Sequence, residues 1–172
     1  MNALRKLRMM SLIVPGALCA LGLTTPMAVR ADDVNNKVIK TPMIWGDANP
    51  RNLISLVAAV PAGQRRKLVI TYSAVCAVES NDFVTYLDLD IQVDGVAVPP
   101  TNGNTTAFCL GTPPDNNAPN LDDWFTPSIT VVRAVGGGNH TVLVRGKIVN
   151  FGAGERARIA DQSLVVVEEG PD

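Results

Sequence analysis

The chain has 172 residues, with 15 Lys+Arg against 16 Asp+Glu and a formal net charge of −1. Apolar residues make up 47% and charged residues 18%; an average globular domain carries about 25% charge, so long disordered tails are excluded. The near-zero balance excludes a nucleic-acid surface, which needs a basic excess, and a single histidine leaves little room for metal or acid–base chemistry.

Residues 1–31 read as an export leader. Arg5, Lys6 and Arg8 make a positive start, residues 11–23 (SLIVPGALCALGL) form an apolar run, and Val29-Arg30-Ala31 puts small residues before a cut. The run is shorter than the roughly 20 residues a bilayer helix needs, and Pro15-Gly16 interrupts it, so no membrane span is expected in the mature chain. Cys19 falls inside the leader, behind a Leu18 too large for a lipid-attachment site. Cleavage after Ala31 leaves 141 residues. Four bases and no acids depart with the leader, so 11 bases face 16 acids and the mature net charge is −5. The product is expected in the periplasm or the medium, at a size suited to one domain. Two cysteines remain, Cys76 and Cys109. In an oxidising compartment such a pair is expected to form one disulfide, closing a loop of 33 residues.

Along the mature chain, residues 32–52 have no firm period and hold Pro42 and Pro50; they read as an extended entry segment with a short strand at Met43-Ile44-Trp45. From residue 53 a period of two dominates, the mark of strands. Ile54, Leu56 and Val60 alternate, and Pro61-Ala62-Gly63 turns the chain. Leu68, Ile70, Tyr72, Ala74, Cys76 and Val78 then share one face. The clearest strand follows, with Phe83, Leu87, Leu89, Ile91 and Val93 on one side and Tyr86, Asp88, Asp90, Gln92 and Asp94 on the other. Asp94-Gly95 is a two-residue hairpin signal, because both central positions of the favoured turn need positive φ. Val96 and Val98 return before Pro99-Pro100, and a polar stretch leads to a short apolar run at residues 107–110. Residues 111–123 make the longest loop. Strands are expected at residues 129–135, 140–149 and 157–167, separated by Gly136-Gly137-Gly138-Asn139 and by a loop at residues 150–155. Seven or eight strands, without a capped helical period, predict an all-β, antiparallel two-sheet β-sandwich over residues 53–168, with 169–172 as a tail.

Residues 135–144 (VGGGNHTVLV) resemble a pattern in small secreted bacterial jelly-roll proteins of TNF-like fold, where a Gly-rich turn precedes a His-Thr-Val strand late in the domain. The Cys pair and the final run Ser163-Leu164-Val165-Val166-Val167 are similar too. The resemblance implies a jelly roll and a homotrimer, and it implies no catalytic residues.

The Tyr86, Asp88, Asp90 and Gln92 stripe is the most suggestive chemistry. Residues i and i+2 of a strand sit on one face about 6–7 Å apart, a spacing at which carboxylates hold a sugar's hydroxyls. A glycosidase pair needs about 5–9.5 Å, but its general acid also needs burial to raise its pKa. An ordinary solvated face is the default for such alternation. Asp115, Asn117, Asp122 and Asp123 supply oxygens of the kind calcium takes, although the same residues populate turns for conformational reasons alone. Trp124 beside them can stack on a sugar ring or anchor a core. His140 is expected simply to begin a strand. The expected function is a secreted, non-enzymatic binding or assembly protein whose partner is a glycan, a protein or a copy of itself, with no nucleic-acid partner. One alternative is a hydrolase using Asp88 or Asp90 with Asp122, and another is a calcium-dependent binding module.

Overall fold

Strand is the only regular structure among the residues that the computed structural model describes, 33–81, 84–101, 107–112 and 124–170. They are β1 (Val34–Ile39), β2 (Met43–Trp45), β3 (Arg51–Val60), β4 (Arg66–Glu79), β5 (Tyr86–Val93), β6 (Val96–Ala97), β7 (Ala107–Thr112), β8 (Ser128–Val135), β9 (Gly138–Val149) and β10 (Arg156–Glu169). All belong to one compact unit, Ala31–Asp172. The chain is therefore all-β, with ten strands where turn spacing predicts seven or eight. The entry segment accounts for most of the difference. β10 is 14 residues long and offers one edge twice, to β1 over residues 162–167 and to β2 over residues 157–159. Non-periodic residues become strand there because a paired edge satisfies their backbone groups.

β4 shows how alternation becomes a core. Leu68, Ile70, Tyr72, Ala74, Cys76 and Val78 are all buried. They meet Val142, Val144 and Ile148 of β9, Leu87, Leu89 and Ile91 of β5, and Ile159, Leu164 and Val166 of β10 in one apolar cluster. One polar contact crosses it: the Tyr72 hydroxyl donates to Gln162 Oε1 at 3.1 Å. Burial pushes the Tyr72 hydroxyl's pKa far up, so it stays a donor.

One set of ladders is antiparallel and runs β1-β10-β4-β8, with β2 continuing the outer edge of β10. A second runs β3-β9-β5-β6, also antiparallel. β7 joins them, antiparallel to β5 but parallel to β4 at Val78↔Gly111 and Glu79↔Thr112. The result is one ten-stranded mixed sheet, which corrects the expectation of purely antiparallel pairing. The parallel joint has a local cause. Gly111 N donates to Thr85 O at 2.8 Å, and a Cβ on Gly111 would lie 2.6 Å from both Ser80 Cβ and Thr85 O. Only glycine lets the strand approach this closely. The ends of the path also meet: Lys37 Nζ of β1 donates to Ser55 O of β3 at 2.9 Å, so the sheet is nearly closed into a barrel.

Candidate functional site

β5 sends Leu87, Leu89, Ile91 and Val93 into the core, which leaves Tyr86, Asp88, Asp90 and Gln92 on the outer face. The expected open row of acids is not what forms. Register places Asp88 opposite Lys147 and Asp90 opposite Arg145 on β9, and opposite charges directly across a ladder attract. Asp88 is buried, at 4% exposure, because β5 is an interior strand with β9 on one side and β7 on the other. Gln92 Nε2 donates to Asp90 Oδ2. The other carboxylate oxygen, Asp90 Oδ1, and the facing Arg145 Nε are both buried without a hydrogen-bond partner among the described residues. An acceptor and a donor facing each other across two strands suit a bridging hydroxyl or water.

Trp124 is not a core anchor. It is 37% exposed, with the Arg158 guanidinium 4.6 Å from its ring centroid, a cation–π distance. Asp115, Asn117, Asp122 and Asp123 lie outside the described residues. Among the described residues no group of three or more His, Cys, Asp or Glu is placed to hold a metal ion. Cys76 and Cys109 are disulfide-bonded with Cα atoms 6.3 Å apart, inside the range of about 4.4–6.8 Å that the bond needs. The bridge ties β4 to β7 at the joint between the two sets of ladders.

Two polar centres have no clear sequence signal. The first is at the β5–β6 hairpin. Asp94, at φ 52°, accepts from Thr141 N at 2.8 Å through Oδ1 and faces His140 Nδ1 at 2.7 Å through Oδ2. The other ring nitrogen, Nε2, lies 2.8 Å from Gly136 O. A carboxylate and a carbonyl both accept, so both ring nitrogens donate only in the imidazolium. The hydrogen bond to Asp94 accordingly raises the His140 pKa, and the same bond lowers that of Asp94. His140 thus pins two turns together, beyond merely opening a strand.

The second centre is Glu155, a buried side chain in the loop before β10. Burial alone would raise its pKa. Backbone N–H groups of Asn81 and Gly152 and the hydroxyls of Thr85 and Ser80 outweigh that and hold it below the usual glutamate value. Oε1 accepts from Ser80 Oγ at 3.2 Å, Asn81 N at 3.0 Å and Thr85 Oγ1 at 3.1 Å. Next to it, Arg156 clasps the buried Glu79 with two nitrogens, at 3.1 and 3.3 Å. Glu155 thus fastens Ser80, Asn81 and Thr85 to the loop before β10, and Glu79 fastens the end of β4 to the start of β10.

The outer face of the β1-β10-β4-β8 ladders differs from that of β5 and β9. Register sets out three rows across four strands: Val34, Val167, Val69, Val132; then Asn36, Val165, Thr71, Thr130; then Val38, Ser163, Ser73, Ser128. None of these twelve side chains is charged, and the Thr71 and Thr130 hydroxyls are hydrogen-bonded to each other at 2.9 Å. Val34, Val38 and Val132 are 58%, 59% and 51% exposed. The uncharged rows end at a bulge where Asp161 is exposed; beyond it Ala160 and Ala77 are buried, and Arg158 lies against Trp124. A single-sequence reading assigns each strand its two faces but not which strands adjoin, so this surface is invisible before the register is known.

The sequence matches no known family model and none of the curated proteins it was compared with.

Proposed function

We propose that this chain is an exported, non-enzymatic β-sandwich of jelly-roll type that works by surface binding or assembly. The observation that carries the proposal is the contrast between its two outer faces. One pairs Asp88 and Asp90 with Lys147 and Arg145 across a ladder. The other presents three uncharged rows with half-exposed valines. Exposed Val34, Val38 and Val132 on an otherwise uncharged Asn, Thr and Ser surface are groups that a partner would cover. The sandwich reading rests on the two sets of antiparallel ladders, whose inward faces share one core. Export is supported by the leader pattern and by the Cys76–Cys109 bridge, a bond at home in oxidising compartments. A homotrimer is what the TNF-like resemblance implies.

A second reading, glycan binding on the other face, is favoured by the facing Asp90 Oδ1 and Arg145 Nε. The deciding experiment is a screen of the oxidised mature chain, residues 32–172, against glycans and surface proteins, with calcium and with chelator, alongside light scattering. Retention of a glycan that is lost in Asp90→Asn moves the function to the β5 face. Dependence of binding on calcium moves it to Asp115, Asn117, Asp122 and Asp123. Turnover of a glycan in the screen instead of retention establishes the hydrolase alternative. Neither a ligand nor self-association at any concentration would overturn the binding reading.

A further inference from the structure

We propose that the free edge of β8 pairs with β8 of a second copy of this chain, antiparallel and about a two-fold axis, so that the β1-β10-β4-β8 ladders continue from one molecule into the next. The proposal rests on the binding-or-assembly reading above and names its partner. Three features of this edge point to a second copy.

The first is that half of its backbone groups have no strand to bond. Phe125 and Cys76 exchange two backbone hydrogen bonds, each at 2.9 Å, and Ala74 N donates to Pro127 O at 3.4 Å. β8 continues that register, from Ser128 opposite Ser73 to Val135 opposite Arg66. In an antiparallel ladder, residues that bond to the neighbouring strand alternate with residues that turn away from it. Ile129, Val131, Arg133 and Val135 therefore bond to β4, and Ser128, Thr130, Val132 and Ala134 direct N–H and C=O outward. Among the described residues no strand pairs with that side of β8, and the four side chains that go with it are exposed. The other edges differ. β2 and β6 have three and two residues, and β1 is fastened to β3 by Lys37 Nζ on Ser55 O.

The second feature is that nothing blunts the edge. Sheet edges are commonly kept apart by proline, lysine, a bulge or short length. Residues 128–135 (SITVVRAV) hold neither Pro nor Lys, follow β4 without an irregularity and make a strand of eight residues.

The third feature is that the strand complements itself. Two copies centred on Val131 set Ser128 opposite Ala134 of the second copy and Thr130 opposite Val132 of the second copy, and the reverse. Every outward N–H and C=O of β8 is then bonded. The half-exposed Val132 gains a β-branched neighbour across the ladder, a favourable cross-strand pair. Arg133, the one charge of the strand, selects this register, in which it faces Ile129 of the second copy. The register that sets Arg133 against its own counterpart opposes two like charges and leaves Ser128 and Thr130 beyond the end of the partner strand. One strand from each copy makes a small interface, so the pair forms and dissociates with concentration.

The test uses the oxidised mature chain, residues 32–172, in light scattering from micromolar to millimolar concentration, on the wild type and two variants. Val132→Pro removes an N–H that points away from β4, where an edge strand tolerates proline; Val132→Thr keeps the N–H and the branched side chain. Circular dichroism establishes that each is folded. The expected result is a mass that doubles with concentration in the wild type and in Val132→Thr, and a monomer throughout in Val132→Pro. Residue-by-residue amide hydrogen exchange of the wild type supplies a readout that needs no variant: the amides of Ser128, Thr130, Val132 and Ala134 slow as the mass doubles, while those of Ile129, Val131 and Arg133 are protected at every concentration. A wild type that stays monomeric overturns the proposal; the binding reading then stands or falls on the ligand screen. A dimer that survives in folded Val132→Pro, or that leaves those four amides as fast as in the monomer, overturns β8 as the interface and leaves assembly standing. A trimer, or loss of the dimer in Val132→Thr, does the same.

Discussion

The Asp94–His140 contact has a definite pH signature. The His140 pKa is raised above its usual 6.5, so the folded state holds that proton more tightly than the unfolded chain does. The stability this supplies is complete below about pH 6.5 and is lost as pH rises through the raised folded value. Asp94, lowered from 3.8, contributes stability above that value that disappears as pH falls through the lowered one. The pair sits partly in water, so the effect is modest, under about 1 kcal/mol. We expect the melting temperature of the wild type to fall between about pH 6 and pH 8 relative to His140→Gln, whose profile is flatter there. Parallel profiles for the two proteins would show that the imidazolium contributes nothing. Glu155 is the stronger fastening. Glu155→Ala removes an acceptor from two hydroxyls and two backbone N–H groups in a buried place, and we expect a loss of about 2–4 kcal/mol in chemical denaturation. Neither residue stands out in the sequence. A lone His after a Gly turn and a Glu at a loop's end acquire roles only when the loops facing them arrive.

At the scale of elements, β7 is the part whose placement most needs explanation. It is six residues long, too short to hold itself between β4 and β5 by ladder bonds alone. Gly111 and the disulfide at Cys109 keep it there. Gly111→Ala forces Ser80 and Thr85 away from a Cβ that has 2.6 Å of room. We expect it to cost about 2 kcal/mol or more, read as a drop in melting temperature with no change in the far-ultraviolet spectrum. Reduction of Cys76–Cys109 frees a loop of 33 residues, and the chain-entropy model puts the loss at roughly 3–4 kcal/mol. Thiol labelling of the denatured, unreduced protein should find no free group at these two positions. The strands themselves were largely legible. Period two identified β3, β4, β5, β9 and β10, and Asp94-Gly95 marked the hairpin, with both residues at positive φ. β1 was not legible, because Asn35, Asn36 and Lys37 interrupt any alternation. It becomes a strand by pairing with β10.

For the whole molecule, one apolar cluster receives side chains from both sets of ladders, and a hydrogen-bonded path of seven strands, onto which β2, β6 and β8 pair, makes one sheet of all ten. Both features predict one cooperative transition. Fluorescence of the buried Trp45 and far-ultraviolet ellipticity should therefore melt together, and separated midpoints would show that the two sets of ladders unfold as independent units.

Composition, period and turn chemistry were enough to establish an all-β chain and to single out the two cysteines that pair, because alternation and turn residues are local properties of the backbone. Strand order, the parallel joint at β7, the near-closure at Lys37 and Ser55, and the charge partners of Asp88 and Asp90 were decided only in three dimensions. Each depends on which strands lie side by side, a choice made by long-range packing of the shared core. The uncharged rows of β1, β10, β4 and β8 are the fullest instance: four separate segments, each unremarkable alone, become one surface only when their registers align.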